Sequence, residues 1–228
     1  MEMQPPINLP VPYQPHAGLI ASFEKCPLIA ILRGITAVDA ADHGRALYEA
    51  GFRIVEVPLN SPQPFDSIEA IRRALPDDAI VGAGTVLRPN LVNDVKAAGG
   101  DLIVMPHSDA EIVLAAKALG LACAPGVATL NEAFLALKNG ADVLKVFPAE
   151  QLGAHVIKAW RAVIAKEIPL VPVGGIAPEN MGPLLSAGAS GFGLGSALYK
   201  PGQCASVTAS LAKAHVEGLA FSWPIVSA

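Results

Sequence analysis

One lysine in this sequence occurs where a charged side chain is unusual. Lys145 lies in the apolar run 143–148, which has the pattern of a buried strand, whereas the other eight lysines fall in helix-like or loop-like stretches. Burying an unpaired ammonium group is costly, so such a lysine either pairs with an anion or loses its proton. A neutral lysine amine attacks carbonyl groups and can form a Schiff base. The local sequence alone leaves open whether Lys145 is a nucleophile or a structural lysine that reaches water or a carboxylate.

Glu56 is a second charged residue within an apolar run, 53–59, that has the pattern of a buried strand. Side chains alternate along a strand, so Glu56 shares a face with Ile54, and Lys145 shares one with Val143 and Phe147. If both faces point into one interior, the amine and the carboxylate meet there. An imine on Lys145 would be an electron sink for carbon–carbon cleavage, and Glu56 could move the protons, a contribution of roughly a hundredfold or more. The alternative is a buried ion pair that only specifies packing.

Eight short apolar segments recur along the chain and would position these two residues. Most are nearly continuous and rich in Val, Ile and Leu, as parallel strands covered on both faces should be. The predicted strands are 28–34, 53–59, 79–86, 102–106, 122–127, 143–148, 169–175 and 191–198.

Segments with helical spacing lie between most of these strands, and several end at glycine, a common residue just past a helix. The predicted helices are 38–50, 67–75, 91–98, 109–119, 130–139, 178–187 and 204–218. We also expect a short helix over 19–25 to close the bottom of a barrel. The alternation predicts an α/β fold, a single-domain (β/α)8 TIM barrel over 18–228 with an irregular N-terminal arm over 1–17. A doubly wound sheet is disfavoured because no glycine-rich turn follows the first strand.

Composition excludes several classes of protein. The 228 residues are 52% hydrophobic and 16% charged, with a net charge of -4, and no basic patch suggests a nucleic-acid partner. Three cysteines without metal-binding spacing argue against a disulfide framework and favour a reducing compartment. We see neither a signal peptide nor an apolar run of the roughly 18 residues that a membrane helix needs. We therefore expect a cytoplasmic protein without nucleic-acid or membrane partners.

Further candidate site residues lie where the predicted strands end, since active sites of such barrels are at the C-terminal ends of the strands. Arg33 follows the first strand and could bind an anionic group, or form a structural salt bridge. Thr85 ends the third strand and could donate a hydrogen bond to a carboxylate. His107 follows the fourth strand and is equally well explained as a site residue or a solvated loop residue.

Two pairs of small residues follow the seventh and eighth strands, where many (β/α)8 barrels bind phosphate. They are Gly174-Gly175 and Gly195-Ser196. Glycine lets backbone N–H groups approach an anion, and the start of a following helix adds a favourable dipole. The alternative is that the glycines only fill tight turns.

The remaining histidines and cysteines suggest no chemistry. We expect Cys123 to be a core residue, and His43, His155 and His215 to lie on helix surfaces. No His/Asp/Glu cluster has metal-ligand spacing, and no Ser-His-Asp pattern stands out. The sequence therefore predicts no metal site.

Five segments together resemble the class I 2-keto-3-deoxy-6-phosphogluconate and phosphogalactonate aldolases. They are Leu-Arg-Gly at 32–34, Glu-Val-Pro-Leu-Asn-Ser-Pro at 56–62, Gly-Ala-Gly-Thr-Val at 82–86, Leu-Lys-Val-Phe-Pro-Ala-Glu at 144–150 and Val-Gly-Gly-Ile at 173–176. The similarity runs from about residue 27 to residue 202. The lysine-containing stretch and the glutamate in the second strand, taken together, are highly specific to this family.

The resemblance implies a (β/α)8 barrel, usually a homotrimer, that needs no metal or organic cofactor. Its reaction is the reversible cleavage of a 2-keto-3-deoxy-6-phospho sugar acid to pyruvate and glyceraldehyde 3-phosphate. Lys145 matches the Schiff-base lysine and Glu56 the general acid/base. The implied substrate-binding positions are Arg33, Thr85, Phe147, Gly175, Gly195 and Ser196.

Two segments separate the subfamilies, the second strand and the residue before the Gly-Gly pair. Gluconate-type members resemble Glu-Val-Thr-Leu-Arg-Thr-Pro in the second strand and tend to have Thr before the Gly-Gly pair, whereas this chain has Pro58, Asn60 and Val173. The two sugar acids differ only at C4, and a hydrogen-bonding site discriminates better than an apolar one. We therefore expect the galactonate epimer to be cleaved, by a pocket that includes Val173 and Gly174. The alternatives are the gluconate epimer, a relaxed enzyme using both, a phosphosugar isomerase or epimerase, and a non-catalytic phosphate-binding barrel.

Overall fold

The computed structural model describes residues 13–222, in which short strands alternate with helices. The strands are β1 Leu28–Ile31, β2 Ile54–Pro58, β3 Ile80–Gly84, β4 Leu102–Val104, β5 Ala122–Ala124, β6 Gly126–Val127, β7 Leu144–Val146, β8 Leu170–Pro172 and β9 Phe192–Leu194. The helices are α1 Ala17–Lys25, α2 Ala37–Glu49, α3 Pro64–Ala74, α4 Leu91–Ala97, α5 Ala110–Ala118, α6 Leu130–Lys138, α7 Ala149–Trp160, α8 Pro178–Ser186 and α9 Ala205–Ser222. All eight predicted strand segments therefore contain strand.

The strands are parallel and form two sheets. One has the order β5-β4-β3-β2-β1-β9 and the other the order β6-β7-β8. The sheets adjoin at Pro125, which divides the predicted fifth strand into β5 and β6, and at a parallel bridge between Val173 and Gly193. This agrees with the predicted α/β class and with a TIM-like arrangement of strands and helices. Proline lacks an N–H group, which interrupts regular pairing at this position.

The apolar side chains form two separate clusters, as alternation along strands buried on both faces requires. The outer cluster packs the strands against the helices. The inner cluster lies among the strands and contains Leu19, Phe23, Ile29, Ile31, Ile54, Ile80, Leu102, Val104, Ala122, Ala124, Val143, Val171 and Val173. Ile54 and Val143 thus point inward, which is the condition under which alternation brings Glu56 and Lys145 together. Leu19 and Phe23 belong to α1, so this helix covers the N-terminal end of the inner cluster, where we expected a short helix.

One helix was not delimited from the sequence. Helix α7 follows β7 directly, but Gly153 inside it has non-helical backbone angles (φ 68°, ψ 176°). This glycine divides the segment into two shorter pieces, which weakens the helical spacing that the sequence pattern depends on. No helix among residues 13–222 is long and apolar enough to cross a membrane.

The surface positions predicted for two histidines were wrong. His43 and His215 are each only 2% exposed. One ring nitrogen of each has a partner, because His43 Nδ1 lies 2.9 Å from Thr208 Oγ1 and His215 Nδ1 lies 2.7 Å from the Leu211 carbonyl oxygen. His215 Nε2 is buried without a partner among the described residues. A histidine with such a partner can be buried on the inner face of a helix. His155 is exposed and Cys123 is buried, as predicted.

A buried carboxylate just before β7 connects the beginning of the described chain to the strands. Asp142 is fully buried and accepts hydrogen bonds from the His16 N–H (2.6 Å), the Cys123 N–H (2.7 Å) and Lys117 Nζ (2.7 Å). The Tyr13 hydroxyl donates to the Asp142 carbonyl oxygen at 2.5 Å. The last part of the predicted arm is therefore held in place, whereas residues 1–12 of that arm lie outside the described residues.

Replacing Asp142 is expected to destabilise the fold strongly. In Asp142→Ala, the Lys117 ammonium and the two N–H groups lose their acceptor, and breaking such a buried set costs about 3–5 kcal/mol. The free energy of unfolding, measured by urea denaturation, checks this. The control is Asp94→Ala, because Asp94 is exposed and its loss should change stability by less than about 0.5 kcal/mol. Equal stability of the two variants would contradict the structural role of Asp142.

Candidate active site

Lys145 and Glu56 reach the same small cavity among the strands. Glu56 is 2% exposed and Lys145 is 8% exposed, the one buried lysine among residues 13–222. They extend from β2 and β7, which belong to different sheets. The cavity is lined by Ile29, Ile31, Glu56, Val104, Ala124, Val143, Lys145, Val171, Val173 and Gly193. The convergence predicted from strand alternation is therefore present, in an otherwise apolar setting.

This setting shifts the pKa values of both groups in the directions that favour their neutral forms. Burial lowers the pKa of Lys145, the negative charge of Glu56 partly opposes that effect, and the positive charge of Arg33 adds to it. Burial also raises the pKa of Glu56, partly opposed by Lys145 and Arg33. A lysine with a lowered pKa and a carboxyl with a raised pKa are suited to nucleophilic attack and proton transfer, respectively.

The Glu56 carboxyl group has an unused oxygen and little room to move. Its Oε2 atom is buried and has no hydrogen-bond partner among the described residues. Gly84 lies directly against it, and a Cβ atom at that position would overlap the carboxyl group. Glycine at 84 therefore makes space for Glu56, and the free oxygen remains available to a group that enters the cavity. Unsatisfied buried polar atoms are rare, and they often mark functional positions.

A cleft of about 380 Å³ lies beyond this cavity, at the C-terminal ends of β1, β7, β8 and β9. The two spaces share Ile31, Val173 and Gly193 in their walls. Phe147 lines the cleft, and Lys145 Nζ lies 5.0 Å from the centre of its ring. The predicted site residues that line the cleft are Arg33, Phe147, Val173, Gly174, Gly175, Gly195 and Ser196.

One wall of the cleft is a glycine turn that is hydrogen-bonded to the beginning of α8. Gly174 (φ 103°) and Gly175 (φ 66°) adopt positive φ angles that favour glycine. Asn180 in α8 donates from Nδ2 to the Gly175 carbonyl oxygen (2.7 Å) and accepts from the Ala177 N–H at Oδ1 (3.1 Å). The glycine turn is thereby held to the beginning of α8, an arrangement suited to an anion.

The opposite wall carries Arg33. Its Nη1 atom donates to Asn60 Oδ1 at 2.7 Å, and the adjacent Gly34 N–H donates to Ser61 Oγ at 2.9 Å. Arg33 and Lys200 give this cleft its positive charge, and its lining includes no acidic residue. The partner of Arg33 is thus a neutral amide, which leaves the guanidinium charge available to an anionic ligand. Among residues 13–222, the structural salt bridge considered for Arg33 is not present.

Two predicted residues lie apart from these cavities. Thr85 ends β3 beside Gly84, is half-buried, and lines neither space. Its φ of 54° is unusual for a β-branched residue, and such strain is concentrated at functional sites. His107 is exposed, with Nε2 4.0 Å from Asp109 Oδ2, so the structure favours a solvated loop histidine.

Sequence reasoning missed several residues of this cleft. Tyr199, Lys200 and Pro201 line it, and Asn180 supports it. A signal was available, since the first three lie within five residues after the Gly195-Ser196 pair, in the segment that follows the last strand. A larger cleft of about 830 Å³ lies at the opposite end, next to residues that precede strands, such as Pro27 and Pro169. It contains none of the predicted site residues.

The charge of Arg33 should control the titration of Lys145. Replacing Arg33 by Met removes a cation that lowers the pKa of Lys145, so this pKa should rise. Replacing Glu56 by Gln removes an anion that raises it, so the pKa should fall. Only the neutral amine reacts with acylating reagents, and its modification rate against pH, followed by peptide mass spectrometry, should move to higher pH in Arg33→Met and to lower pH in Glu56→Gln.

The control for this titration is Arg88→Met, which removes an exposed arginine that does not line the cleft. Its Lys145 profile should match that of the unmodified chain. Unchanged profiles, or shifts in one common direction for Arg33→Met and Glu56→Gln, would contradict the electrostatic coupling of the three groups.

Comparison with known proteins assigns the chain to a family. The family model described as KDPG and KHG aldolase matches residues 19–209. The 2-dehydro-3-deoxy-6-phosphogalactonate aldolase of Escherichia coli K12 is 48% identical over 193 residues, 85% of this chain and 94% of that protein. A native KDPGal structure superimposes with a TM-score of 0.85 at 46% identity, covering 87% of this chain and 96% of the other.

A more distant structure contains a covalent intermediate. It is the KDPG aldolase of Legionella pneumophila with pyruvate captured as a carbinolamine, at a TM-score of 0.77 and 27% identity, covering 87% of this chain and 97% of the other. The family model spans both of the strands that carry Glu56 and Lys145. The chain belongs to the KDPG and KHG aldolase family.

Proposed function

We propose that this protein is a class I aldolase that cleaves 2-dehydro-3-deoxy-6-phospho-D-galactonate to pyruvate and D-glyceraldehyde 3-phosphate. The observation that carries this proposal is the shared cavity of Lys145 and Glu56, which opens beside a positively charged cleft. Membership of an aldolase family and the 48% identity to a phosphogalactonate aldolase support it.

The reaction begins at Lys145. Its lowered pKa increases the fraction of neutral amine, which attacks the C2 ketone of the substrate to form a carbinolamine. Loss of water then yields a protonated imine. Glu56, whose pKa is raised by burial, supplies and removes protons in these steps. The apolar walls favour both neutral forms, since charged groups lose hydration there.

The carbon–carbon bond then breaks between C3 and C4. The imine accepts the bonding electrons and becomes an enamine, while the C4 hydroxyl gives its proton to Glu56 and C4 leaves as the aldehyde carbon of glyceraldehyde 3-phosphate. The enamine takes a proton at C3, and hydrolysis of the resulting imine releases pyruvate and regenerates the amine of Lys145. The unpartnered Oε2 of Glu56 suits it to this proton transfer.

The substrate is bound by its two anionic ends. Arg33 binds the carboxylate, and the guanidinium is available because its partner in the chain is the neutral Asn60. The family resemblance adds Thr85 as a second carboxylate-binding residue, although it lines neither space. The N–H groups at Gly175 and Gly195 and the hydroxyl of Ser196 bind the phosphate, aided by the beginning of α8. Phe147 packs beside the reacting carbons, close to Lys145.

The choice of the C4 epimer rests on two residues. Val173 is 7% exposed and lies in the walls of both spaces, where it offers no hydrogen bond to a hydroxyl. Asn60 is neutral and accepts a hydrogen bond from Arg33. The arginine of gluconate-type members would instead place a second guanidinium in the site. The gluconate epimer, or both epimers, is the nearest alternative. An isomerase or epimerase would use the same pair without an imine, and a phosphate-binding protein would need neither residue.

We further propose a single (β/α)8 barrel domain over residues 18–228, in which the two sheets form one ring. The chain continuity at Pro125 and the bridge between Val173 and Gly193 support this. The aldolase is proposed to act as a homotrimer without metal or organic cofactor, as the family resemblance implies, and in the cytoplasm, as the cysteine usage suggests. Among residues 13–222, no group of three or more His, Cys, Asp or Glu residues could hold a metal ion.

Borohydride reduction in the presence of pyruvate is the direct test of imine chemistry. We expect one reduced pyruvate per chain, located at Lys145 by peptide mass spectrometry. Lys145→Arg keeps the charge but cannot form this imine, so it should yield no adduct and lose more than about a thousandfold in cleavage rate. Lys200→Ala is the control, because Lys200 is the other lysine of the cleft, and its adduct at Lys145 should persist. Absence of an adduct in the unmodified chain would refute the aldolase mechanism.

Selectivity at C4 is tested by measuring pyruvate release from the two epimeric phosphates side by side. The unmodified chain should prefer the galactonate epimer, and Val173→Thr should shift the ratio of kcat/KM values toward the gluconate epimer by about tenfold, because it adds a hydrogen-bonding hydroxyl. Val38→Thr, at an 89% exposed position, should leave the ratio unchanged. An unaltered ratio in Val173→Thr would discard Val173 as a specificity residue while leaving the aldolase assignment intact.

A further inference from the structure

The segment that follows β9 forms part of the wall of the cleft. We call residues 195–201 the rim segment, because Gly195, Ser196, Ala197, Tyr199, Lys200 and Pro201 all line the cleft. Its backbone hydrogen bonds among the described residues are local: the N–H groups of Leu198 and Tyr199 donate to the Gly195 carbonyl oxygen (2.9 and 3.0 Å). Such a turn has no strand neighbour to determine its position, so side chains must do so.

A buried set of side chains supplies that support. The Gln203 amide donates from Nε2 to the Leu198 carbonyl oxygen (3.0 Å) and to Thr208 Oγ1 (2.7 Å). The Thr208 hydroxyl is in turn hydrogen-bonded to His43 Nδ1 (2.9 Å). Thr208 is fully buried in α9 and His43 is 2% exposed in α2. One hydrogen-bonded chain therefore connects two helices with the backbone of the rim segment.

The same histidine also contacts the rim segment through its ring. His43 and Tyr199 pack edge to face, with ring centres 5.0 Å apart and an angle of 85° between the planes. Tyr199 is only 5% exposed, and this contact is one of those that hold its ring. Burial lowers the pKa of His43, which favours the neutral imidazole and a fixed hydrogen-bond pattern over a charged group in this interface.

Packing alone does not explain why polar side chains lie between α2, α9 and the rim segment. A buried polar set contributes little net stability compared with apolar side chains of the same shape, because its groups must be desolvated. His215, equally buried on α9, shows the difference, since its recorded partner is a carbonyl oxygen of its own helix. The His43 set instead ends on the Leu198 carbonyl oxygen, inside the rim segment.

We propose that His43, Thr208 and Gln203 are positioning residues for the phosphate end of the cleft. By fixing the rim segment, they hold Gly195 and Ser196 where they meet the phosphate, and they act on phosphorylated substrates rather than on the chemistry at Lys145. This inference rests on the proposed aldolase function, because it assigns the substrate phosphate to the Gly195-Ser196 wall. None of the three touches the substrate.

The test compares Thr208→Val with Thr208→Ser. The valine variant has the same shape but leaves Gln203 and His43 without their shared partner, whereas serine keeps the hydroxyl. In Thr208→Val we expect KM for the phosphorylated sugar acid to rise about tenfold with kcat little changed, and kcat/KM for the unphosphorylated sugar acid to stay the same. Thr208→Ser should restore the low KM. Gln203→Met, at a half-buried position, repeats the test if Thr208→Val does not fold.

The control is His215→Phe, which removes a buried histidine without disturbing the rim segment. It should lower the melting temperature but preserve the ratio of kcat/KM for the phosphorylated and unphosphorylated substrates. An equal loss for both substrates in Thr208→Val, or no rescue by serine, would overturn the positioning role. Borohydride trapping of pyruvate separates the two hypotheses, because a normal adduct with an unchanged substrate ratio refutes only this inference, whereas no adduct in the unmodified chain refutes the aldolase.

Discussion

The burial of an amine beside a carboxyl group is the constraint on which the rest of this structure depends. Lys145 and Glu56 lie among aliphatic side chains of the inner cluster, where charged groups lose most of their hydration. Mutual attraction offsets only part of that loss, so both pKa values move toward the neutral forms. An environment that is unfavourable for an ion pair is favourable for a nucleophile and a proton carrier.

The parallel strands make this arrangement possible, and a cleft adjoins the cavity at the strand ends. They bring Glu56 of β2 and Lys145 of β7 to one cavity, while Leu19 and Phe23 of α1 cover the opposite end of the inner cluster. The cleft lies where the strands end, and its walls share residues with the cavity. Strand pairing determines the position of the residues around the cavity. The position of the rim segment depends instead on side chains from α2 and α9. Lys145 and Glu56 are therefore held by the sheets, and the wall of the cleft proposed to bind an anion is held by a separate set of contacts.

Sequence patterns predicted more of the sheets than of the loops. Near-continuous apolar runs located all eight strand segments, and alternation correctly placed Lys145 and Glu56 on inward faces. Helix α7 was missed because Gly153 interrupts its spacing. The burial of His43 could not be read from its own helix, since the partner that satisfies it, Thr208, lies 165 residues away in the chain. The pairing of Arg33 with Asn60 was likewise invisible, because it joins the ends of two strands.

The amino-acid sequence by itself determined the α/β class, the aldolase family and the two residues proposed for the chemistry. These features depend on local patterns: apolar periodicity within each segment, and a charged residue where that periodicity predicts burial. Only the tertiary structure decided that the Glu56 carboxyl keeps one oxygen free, that a neutral amide holds Arg33, and that His43 supports the cleft. Each of these is a contact between distant segments, and its existence depends on packing distances that no local pattern encodes.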